Sequence, residues 1–257
     1  MPNGDRKPNA ATRLWIELYS AAPWYTTVED SGADAILRIW TPGGKDHRAR
    51  KVVHRGGGGR RYKFSSQKVG RMIHCESKIE FGFCNLLEID PDVSGFCEQP
   101  MQVHYRINGE THFHIPDSLV NRKDRVSVLE CKEKVKLDDP QLAARTELLS
   151  RCLPKLGFEY RVVTEDAICE PRLQNAKDVC YVGRYPVDAS TRDRILKLVD
   201  SDVPVTWGGA ITGQLGPRGQ GALLRMVRDG DLWFDIDRVR LPSTPFLRRT
   251  GDLKWNF

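Results

Sequence analysis

The segment 112-HFHIPDSLVNRKDRVSVLECKEK-134 restricts the possible folds more than any other part of the chain. Its two halves, THFHIPDSLV and RVSVLECKEK, are rich in apolar and β-branched residues, which favour strands. Between them lies the polar stretch 121-NRKD-124, which is typical of a turn. The segment therefore predicts two paired strands, and its apolar flanks place them inside a sheet rather than at its edge.

Three charged residues, Asp117, Glu130 and Lys132, lie within these apolar runs. Glu130 and Lys132 are two positions apart, so both project from one face of their strand, about 6–7 Å apart along it. If the turn is centred between Lys123 and Asp124, Asp117 lies directly opposite Glu130. Cross-strand Cβ atoms are then about 5 Å apart, which brings two carboxylates and an ammonium into one site.

Two carboxylates at this separation repel each other and raise each other's pKa. A divalent cation between them removes the conflict, and oxygen ligands suit Mg²⁺, which keeps several waters and takes one or two protein carboxylates. Lys132 does not ligate a metal, but its ammonium suits a phosphate oxygen or a reacting water. The alternative is a surface hairpin with Glu130 and Lys132 exposed and Asp117 in a turn.

A third acid comes from 77-SKIEFGFCNLLEID-90, where apolar residues recur at the spacing of a helix. Glu80 lies on a flank of this helix that can face the sheet, so we expect it to serve the metal site. Ser77 and Glu80 also have the spacing of a capping box, which is a structural alternative. Glu76 is a further candidate acid.

The elements around this segment follow from alternation and turn signals. VSGFCEQPMQVHYRI contains a Gln-Pro break and predicts two short strands, and Asn108-Gly109 after it indicates a hairpin. LDDPQLAARTELLSRCLPKLG predicts a helix, and FEYRVVTEDAI a strand. This order of helix, hairpin-rich sheet, helix and strand predicts a mixed α/β domain that closes near residue 170.

The C-terminal part predicts a smaller unit of short helices followed by a β-ribbon, which is typical of a winged-helix module. STRDRILKLVD indicates a helix capped by Ser190 or Thr191, QGALLRMVRDG a helix ending at Gly230, VTWGGAITGQLG a weaker helix and LWFDIDRVRL a strand. We therefore expect an N-terminal extension with a basic glycine-rich segment at 1–64, a mixed α/β domain at 65–172 and a winged-helix-like domain at 173–257.

The chain of 257 residues has a net charge of +6, which leans towards an anionic partner. Residues 44–72 hold ten Lys or Arg and one acid, so this segment is either a solvated tether or a basic arm that contacts phosphates. No apolar run is long enough to span a membrane, and the first residues lack the apolar core of a secretory signal, so we expect a cytoplasmic protein.

Neither the cysteines nor the histidines favour a zinc site. The seven cysteines form no C-x-x-C pair and mostly lie in apolar runs, which indicates reduced core thiols. His112 and His114 share a strand face at a spacing seen in metal sites, but no neighbouring Cys or His pair completes the ligand set.

Four motifs, in order along the chain, resemble the PD-(D/E)xK nuclease superfamily and, more closely, the TnsA-type endonuclease of heteromeric transposases. They are 65-SSQKVGRMIHCESKIEFGFCNLLEIDPDVSGFCEQP-100, 116-PD-117, 130-ECK-132 and 153-LPKLGFEYRVVTEDAI-168. The resemblance is strong over residues 65–170 and looser over 175–250. It implies a restriction-endonuclease-like mixed-sheet core at 65–172, followed by the winged-helix-like domain. Gln99, within the EQP motif, would be structural or DNA-facing.

Carried over by position, the resemblance implies that Glu80, Asp117, Glu130 and Lys132 are catalytic. It implies Mg²⁺, with Mn²⁺ as a substitute, bound by the three acids and the backbone carbonyl of Cys131. The implied reaction is cleavage of the 5′ (non-transferred) strand of double-stranded DNA at transposon ends, at the bacterial nucleoid. The implied partners are a DDE transposase subunit (TnsB-like) and an AAA+ ATPase regulator (TnsC-like).

Two other functions are compatible with the same motifs. One is a restriction or repair nuclease of this superfamily that acts alone. The other is a non-catalytic DNA-binding scaffold on the same fold, although all four polar residues are present.

Overall fold

The structure is a computed structural model that describes residues 24–27, 32–43, 48–50, 60–238, 240–241 and 244–255, with the backbone alone at 24–27. The chain divides into two compact units. The first contains the residues up to Phe81 together with Asp92–Glu165, and the second contains Gly82–Pro91 together with the residues from Asp166 onwards.

The first unit consists mainly of β-strands. In chain order its elements are β1 (Trp24–Thr27), β2 (Ala35–Thr41), β3 (Tyr62–Ser66), β4 (Arg71–Cys75), α1 (Lys78–Ile89), which continues into the second unit, β5 (Val93–Glu98), β6 (Gln102–Ile107), β7 (Glu110–His114), β8 (Ser118–Arg122), β9 (Val126–Cys131), α2 (Pro140–Cys152) and β10 (Phe158–Val163). They form two four-stranded sheets, with strand orders β1-β2-β6-β7 and β10-β9-β8-β5, and a separate β3-β4 hairpin. In the second sheet β9 and β10 are parallel while the other pairs are antiparallel, so the predicted mixed α/β fold is confirmed.

The β8-β9 pair has the register that the sequence predicts. Ser118 lies opposite Leu129 and Asn121 lies opposite Val126, so the turn is centred between residues 123 and 124. All six residues of β9 are buried, because β9 lies between β8 and β10 in the interior of the sheet. The apolar core of this unit also includes residues of β2, β6 and α2.

The stretch THFHIPDSLV is not one strand, so that prediction is wrong. β7 ends at His114 in the first sheet, and β8 begins at Ser118 in the second. Pro116 has no backbone N–H and restricts the residue before it, so the ladder cannot continue through this point. The crossover 115–117 instead carries the chain from one sheet to the other.

The hairpin and helix that flank this region form as predicted. Asn108 and Gly109 both have positive φ (53° and 80°) in the two-residue turn between β6 and β7, as a turn with the twist of a hairpin requires. Asp139 caps α2 by accepting hydrogen bonds from two backbone N–H groups of its first turn, and Pro140 begins the helix. Gly157, at φ 87°, ends the 3₁₀ turn that follows α2 and leads into β10.

Part of the predicted N-terminal extension lies in the first sheet, because β2 pairs with both β1 and β6. Ile36 and Ile39 of β2 are fully buried. The β3-β4 hairpin is an element that the sequence analysis does not predict. Within the basic segment, residues 44–47 and 51–59, including the four glycines, lie outside the described residues.

The second unit is mainly helical. Besides the end of α1, its elements are α3 (Arg172–Val182), α4 (Ala189–Val199), α5 (Trp207–Ile211), α6 (Gly219–Asp229) and the paired strands β11 (Leu232–Trp233) and β12 (Leu247–Arg248). The helices α4, α5 and α6 were predicted and α3 was not. The winged-helix assignment of this unit stays a prediction.

Two local predictions for the second unit are wrong. The cap of α4 is Asp188, whose carboxylate accepts from the backbone N–H of Thr191, rather than Ser190 or Thr191. Among its described residues, 232–238 and 240–241, LWFDIDRVRL forms a strand only at the first two, and a turn follows at 236–238. Alternation alone therefore overestimates this strand.

All seven cysteines carry free thiols and five of them are buried, which confirms the predicted reduced core thiols. Among the described residues, no helix is both long enough and apolar enough to cross a membrane.

Candidate active site

The predicted acidic pair lies where the β8-β9 ladder ends. Because Ser118 lies opposite Leu129, the next step of the register places Asp117 opposite Glu130. Asp117 Oδ2 accepts a 2.7 Å hydrogen bond from the backbone N–H of Cys131. This bond holds the Asp117 carboxylate against the end of β9.

The backbone of Asp117 is held by the turn that follows β5. The N–H of Gln99 donates to the carbonyl of Asp117 at 2.9 Å. Gln99 adopts a left-handed conformation with φ 46° and is buried. The EQP motif therefore has a structural role at this site, since it anchors the main chain of a predicted catalytic residue.

Glu130 is fully buried, with 0% exposure, and its two oxygens contact three basic side chains. Lys132 Nζ lies 2.7 Å from Oε1 and Arg145 Nη2 lies 3.4 Å from it, while His114 Nε2 lies 2.7 Å from Oε2. Burial alone would raise the pKa of Glu130, but the hydrogen bond and charge of His114, followed by Lys132, lower this pKa below its ordinary value. Glu130 is therefore held as a carboxylate.

The pKa of Asp117 shifts in the opposite direction to that of Glu130. Burial, and next the charge of Glu130, raise the pKa of Asp117 from 3.8 to about 8, and Lys132 compensates only in part. The two acids of the pair thus differ at neutral pH: Glu130 is ionised, and Asp117 holds a proton in the absence of a metal.

Lys132 completes the site from the end of β9. Its backbone N–H donates to the carbonyl of Val163 on β10 at 2.9 Å, which fixes its position next to the parallel pair. Its side chain is partly buried, and the charges of Asp117 and Glu130 outweigh this burial and raise the pKa of Lys132. The side chain therefore remains an ammonium at the site.

Glu80 lies in the first turn of α1, and only the Ser77 half of the alternative capping box forms, because the Glu80 carboxylate bonds the residue before the cap. Glu80 Oε2 accepts from the backbone N–H of Glu76 at 2.9 Å, and Ser77 Oγ accepts from the N–H of Glu80 at 3.1 Å. Burial raises the pKa of Glu80, and its charge adds to the rise in the pKa of Asp117. Glu80 is thus close enough to influence the acidic pair, and its part in a metal site stays a prediction.

The described part of the basic segment contacts neighbouring strands. The N–H of Ala49 donates to the carbonyl of Gln99 at 2.7 Å. Arg50 pairs with Glu76 at 2.5 Å, and Arg48 Nη1 donates to His74 Nδ1 at 2.7 Å. At residues 48–50 the segment is held against the fold rather than free in solvent, and its contact with phosphates stays a prediction.

The donor atoms around Lys132 fit Mg²⁺. In the described part of the chain, no three His, Cys, Asp or Glu side chains converge to hold a metal by themselves. Two carboxylates and a carbonyl nevertheless lie around one positive charge, the ammonium of Lys132. Its Nζ lies 2.7 Å from Glu130 Oε1, 3.4 Å from the Cys131 carbonyl and 3.8 Å from Asp117 Oδ2. Mg²⁺ takes one or two protein carboxylates and completes its shell with waters, so this set is of the right kind.

Part of the first unit matches a known family. The family model described as TnsA-like endonuclease N terminal matches residues 90–165, which include Asp117, Glu130 and Lys132 but not Glu80. Residues 90–165 are a TnsA-like endonuclease domain. This match supports a transposon-associated nuclease of the restriction-endonuclease-like superfamily. No curated protein matches the chain.

The TnsA-like domain brings together Asp117, Glu130, the Cys131 carbonyl and Lys132, as the sequence predicts. It also adds two residues that the sequence analysis does not assign to the site, His114 and Arg145. The signal for His114 was its place in 114-HIPD-117, directly before the predicted aspartate. Arg145 lies within α2 and carries no comparable signal.

Proposed function

We propose that this protein is a metal-dependent DNA endonuclease of a transposition complex, which cleaves the 5′ (non-transferred) strand at transposon ends. It would act with a DDE transposase subunit (TnsB-like), which cuts the other strand, and with an AAA+ ATPase regulator (TnsC-like). The observation that carries the proposal is the convergence of Asp117, Glu130, the Cys131 carbonyl and Lys132 within the TnsA-like domain.

In this proposal Asp117, Glu130 and the Cys131 carbonyl bind Mg²⁺, with Mn²⁺ as a substitute and Glu80 as a third acid. When bound, the ion would polarise the scissile phosphate and make a water more acidic. Lys132 donates to this water or to a phosphate oxygen and so orients the water for in-line attack. The products would be a 5′-phosphate and a 3′-hydroxyl.

Binding to the duplex is proposed to come from basic residues that contact its backbone. Arg48 and Arg50 are held near the turn that anchors Asp117, through the Ala49–Gln99 hydrogen bond. Each phosphate that such a residue neutralises releases about one counterion, so affinity should fall as salt rises. Phosphate contacts position a protein without reading sequence, so the choice of site is left to the partner transposase.

The test is cleavage of an end-labelled transposon end with Mg²⁺ and both partners, resolved strand by strand. Asp117→Ala and Lys132→Ala should each reduce cleavage of the 5′ strand by about 10³-fold, because they remove a metal ligand and the group that orients the nucleophile. Cleavage of the other strand by the transposase should continue. Asp124→Ala and Lys123→Ala are the matched controls, because these residues lie in the exposed turn at the other end of the same hairpin.

The outcomes distinguish the proposal from its alternatives. Cleavage of plasmid by this chain alone, with no partner, would instead indicate a nuclease that acts independently. Unchanged cleavage with both site variants would identify the protein as a DNA-binding scaffold and would overturn the proposal.

A further inference from the structure

The least expected contact at the site joins the two sheets of the first unit. His114 is the last residue of β7, in the first sheet, and its Nε2 lies 2.7 Å from Oε2 of Glu130, which is on β9 in the second. The imidazole is mostly buried and Glu130 is fully buried. Water therefore cannot replace this bond easily, and loss of the donor would leave a buried carboxylate oxygen without this hydrogen bond.

The crossover between the sheets explains why His114 reaches the site. His114 and Asp117 are separated by Ile115 and Pro116, and the proline ring fixes φ and stiffens this short link. Asp117 then lies opposite Glu130 in the register of the second sheet, while the His114 side chain contacts Glu130. The segment 114–117 thus places the His114 side chain against Glu130 and the Asp117 side chain against the backbone N–H of Cys131, the next residue of β9.

His112 shows that this contact is specific to one histidine of the strand. His112 is exposed, stacks on Tyr105 with ring centroids 5.6 Å apart, and lies 3.7 Å from Glu110. It makes no contact with Glu130 among the described interactions. The two histidines therefore do not form a shared metal site, and they provide a natural comparison.

The contacts of Glu130 divide between its two oxygens. Lys132 and Arg145 contact Oε1, and His114 contacts Oε2. The Arg145 contact, at 3.4 Å, is long for a hydrogen bond, whereas the His114 contact is short. Rotation of the carboxylate is thus restrained from the Oε2 side by His114. An ionised carboxylate only accepts hydrogen bonds, so Nε2 is the protonated nitrogen.

We propose that His114 is a positioning residue for the metal site: by donating to Oε2 it holds Glu130 so that Oε1 faces Asp117, Lys132 and the metal. This inference rests on the proposed function. Partners of this kind hold ligands in the orientation that the metal needs, and their loss typically costs 10–100-fold in metal affinity or activity.

The test compares His114→Phe, His114→Gln and the control His112→Phe. Phenylalanine keeps the size of the ring without a donor, and glutamine keeps an N–H near the position of Nε2. Binding of Mn²⁺ to the full chain, without DNA, is measured by electron paramagnetic resonance. His114→Phe should bind Mn²⁺ about 10-fold more weakly, while His114→Gln and His112→Phe stay within about 3-fold of wild type.

Strand cleavage with both partners gives a second measurement. His114→Phe should lower kcat and leave KM for the DNA unchanged, since His114 contacts Glu130 rather than DNA, and His114→Gln should restore kcat. Wild-type affinity and kcat in His114→Phe would overturn the inference. So would a Mn²⁺-bound crystal structure of the wild type in which Nε2 is no longer within hydrogen-bond distance of Glu130, a measurement that requires no variant to fold.

The two proposals fail in different ways. A wild-type chain that binds no Mn²⁺ and does not cleave overturns the proposed function. A wild-type chain that binds and cleaves, with His114→Phe equal to it, overturns the role of His114 alone.

Discussion

Asp117→Asn should abolish cleavage, by about 10³-fold or more, and at the same time make the metal-free protein more stable at neutral pH. The loss follows because an amide is a poor ligand for Mg²⁺ compared with a carboxylate. The gain follows because burial and the charge of Glu130 raise the pKa of Asp117 to about 8. At neutral pH the wild type must therefore take up a proton on folding, which lowers its free energy of unfolding. Asparagine is neutral at every pH and its oxygen can still accept from the N–H of Cys131.

The pH dependence of this gain has a definite sign. Below the unfolded pKa of 3.8 the aspartic acid is protonated in both states, and the two proteins should be equally stable. Between pH 4 and 8 the unfolded chain releases the proton and the folded chain retains it, so the wild type loses up to about 1.4 kcal/mol per pH unit. Above the folded pKa the difference becomes constant. At pH 7 we expect Asp117→Asn to be more stable by about 1 to 4 kcal/mol.

Urea denaturation in EDTA at pH 5, 6, 7 and 8.5 measures this difference. Asp124→Asn, in the exposed turn of the same hairpin, is the control and should change the free energy of unfolding by less than about 0.5 kcal/mol. Added Mg²⁺ should stabilise the wild type but not Asp117→Asn, since only the wild type binds the ion well. The difference in the free energy of unfolding between the two proteins should therefore become smaller. A variant less stable than the wild type at pH 7, or a gap independent of pH, would contradict the raised pKa.

The register of the site could be predicted from the sequence because a short polar turn joins two apolar runs. In such a hairpin the turn fixes which residues face each other, and Asp117 and Glu130 accordingly meet. The helix α2 was predictable for a similar local reason, since Asp139 and Pro140 mark its start and Gly157 ends the 3₁₀ turn that follows it.

What the sequence did not reveal depends on contacts between distant segments. Pro116 marks a break in the run before Asp117, but a proline does not show that the strands on its two sides, β7 and β8, belong to different sheets. The role of His114 is a consequence of that division, because its contact with Glu130 spans the two sheets. Arg145 reaches Glu130 from α2, and helical periodicity shows only which face of a helix is apolar.

The helix α3 and the strand predicted at LWFDIDRVRL illustrate the same limit in the second unit. α3 has no side-chain cap and mixes polar and apolar residues. Neither a capping residue nor an apolar periodicity in the sequence therefore predicts this helix. The strand has the right alternation, but after Leu232–Trp233 the chain turns. Alternation is a necessary feature of a half-buried strand and not a sufficient one, because a partner strand must also be present.

In the second unit, Arg228→Met should destabilise the protein by about 3–5 kcal/mol. Arg228 Nη2 lies 2.6 Å from Glu88 Oε1, and the exposed fractions of the two side chains are 9% and 2%. Removing the guanidinium takes the opposite charge of this ion pair away from a buried carboxylate, so the desolvation of that carboxylate is compensated less. The double variant Glu88→Leu with Arg228→Met removes both charges and should recover most of the loss, because apolar side chains of similar size often replace a buried ion pair without cost.

The pair of Asp200 and Arg248 is the matched control for this prediction. It lies in the same unit, with a comparable separation of 2.5 Å, but both side chains are about half exposed, at 47% and 49%. Arg248→Met should therefore cost much less stability than Arg228→Met, because water and salt screen an exposed pair. Urea denaturation of the three variants and the wild type measures these differences. If Arg228→Met costs no more stability than Arg248→Met, burial of the Glu88–Arg228 pair is not what stabilises this unit. If the double variant is as unstable as Arg228→Met alone, the loss of stability comes from packing rather than from removal of the charge that pairs with Glu88.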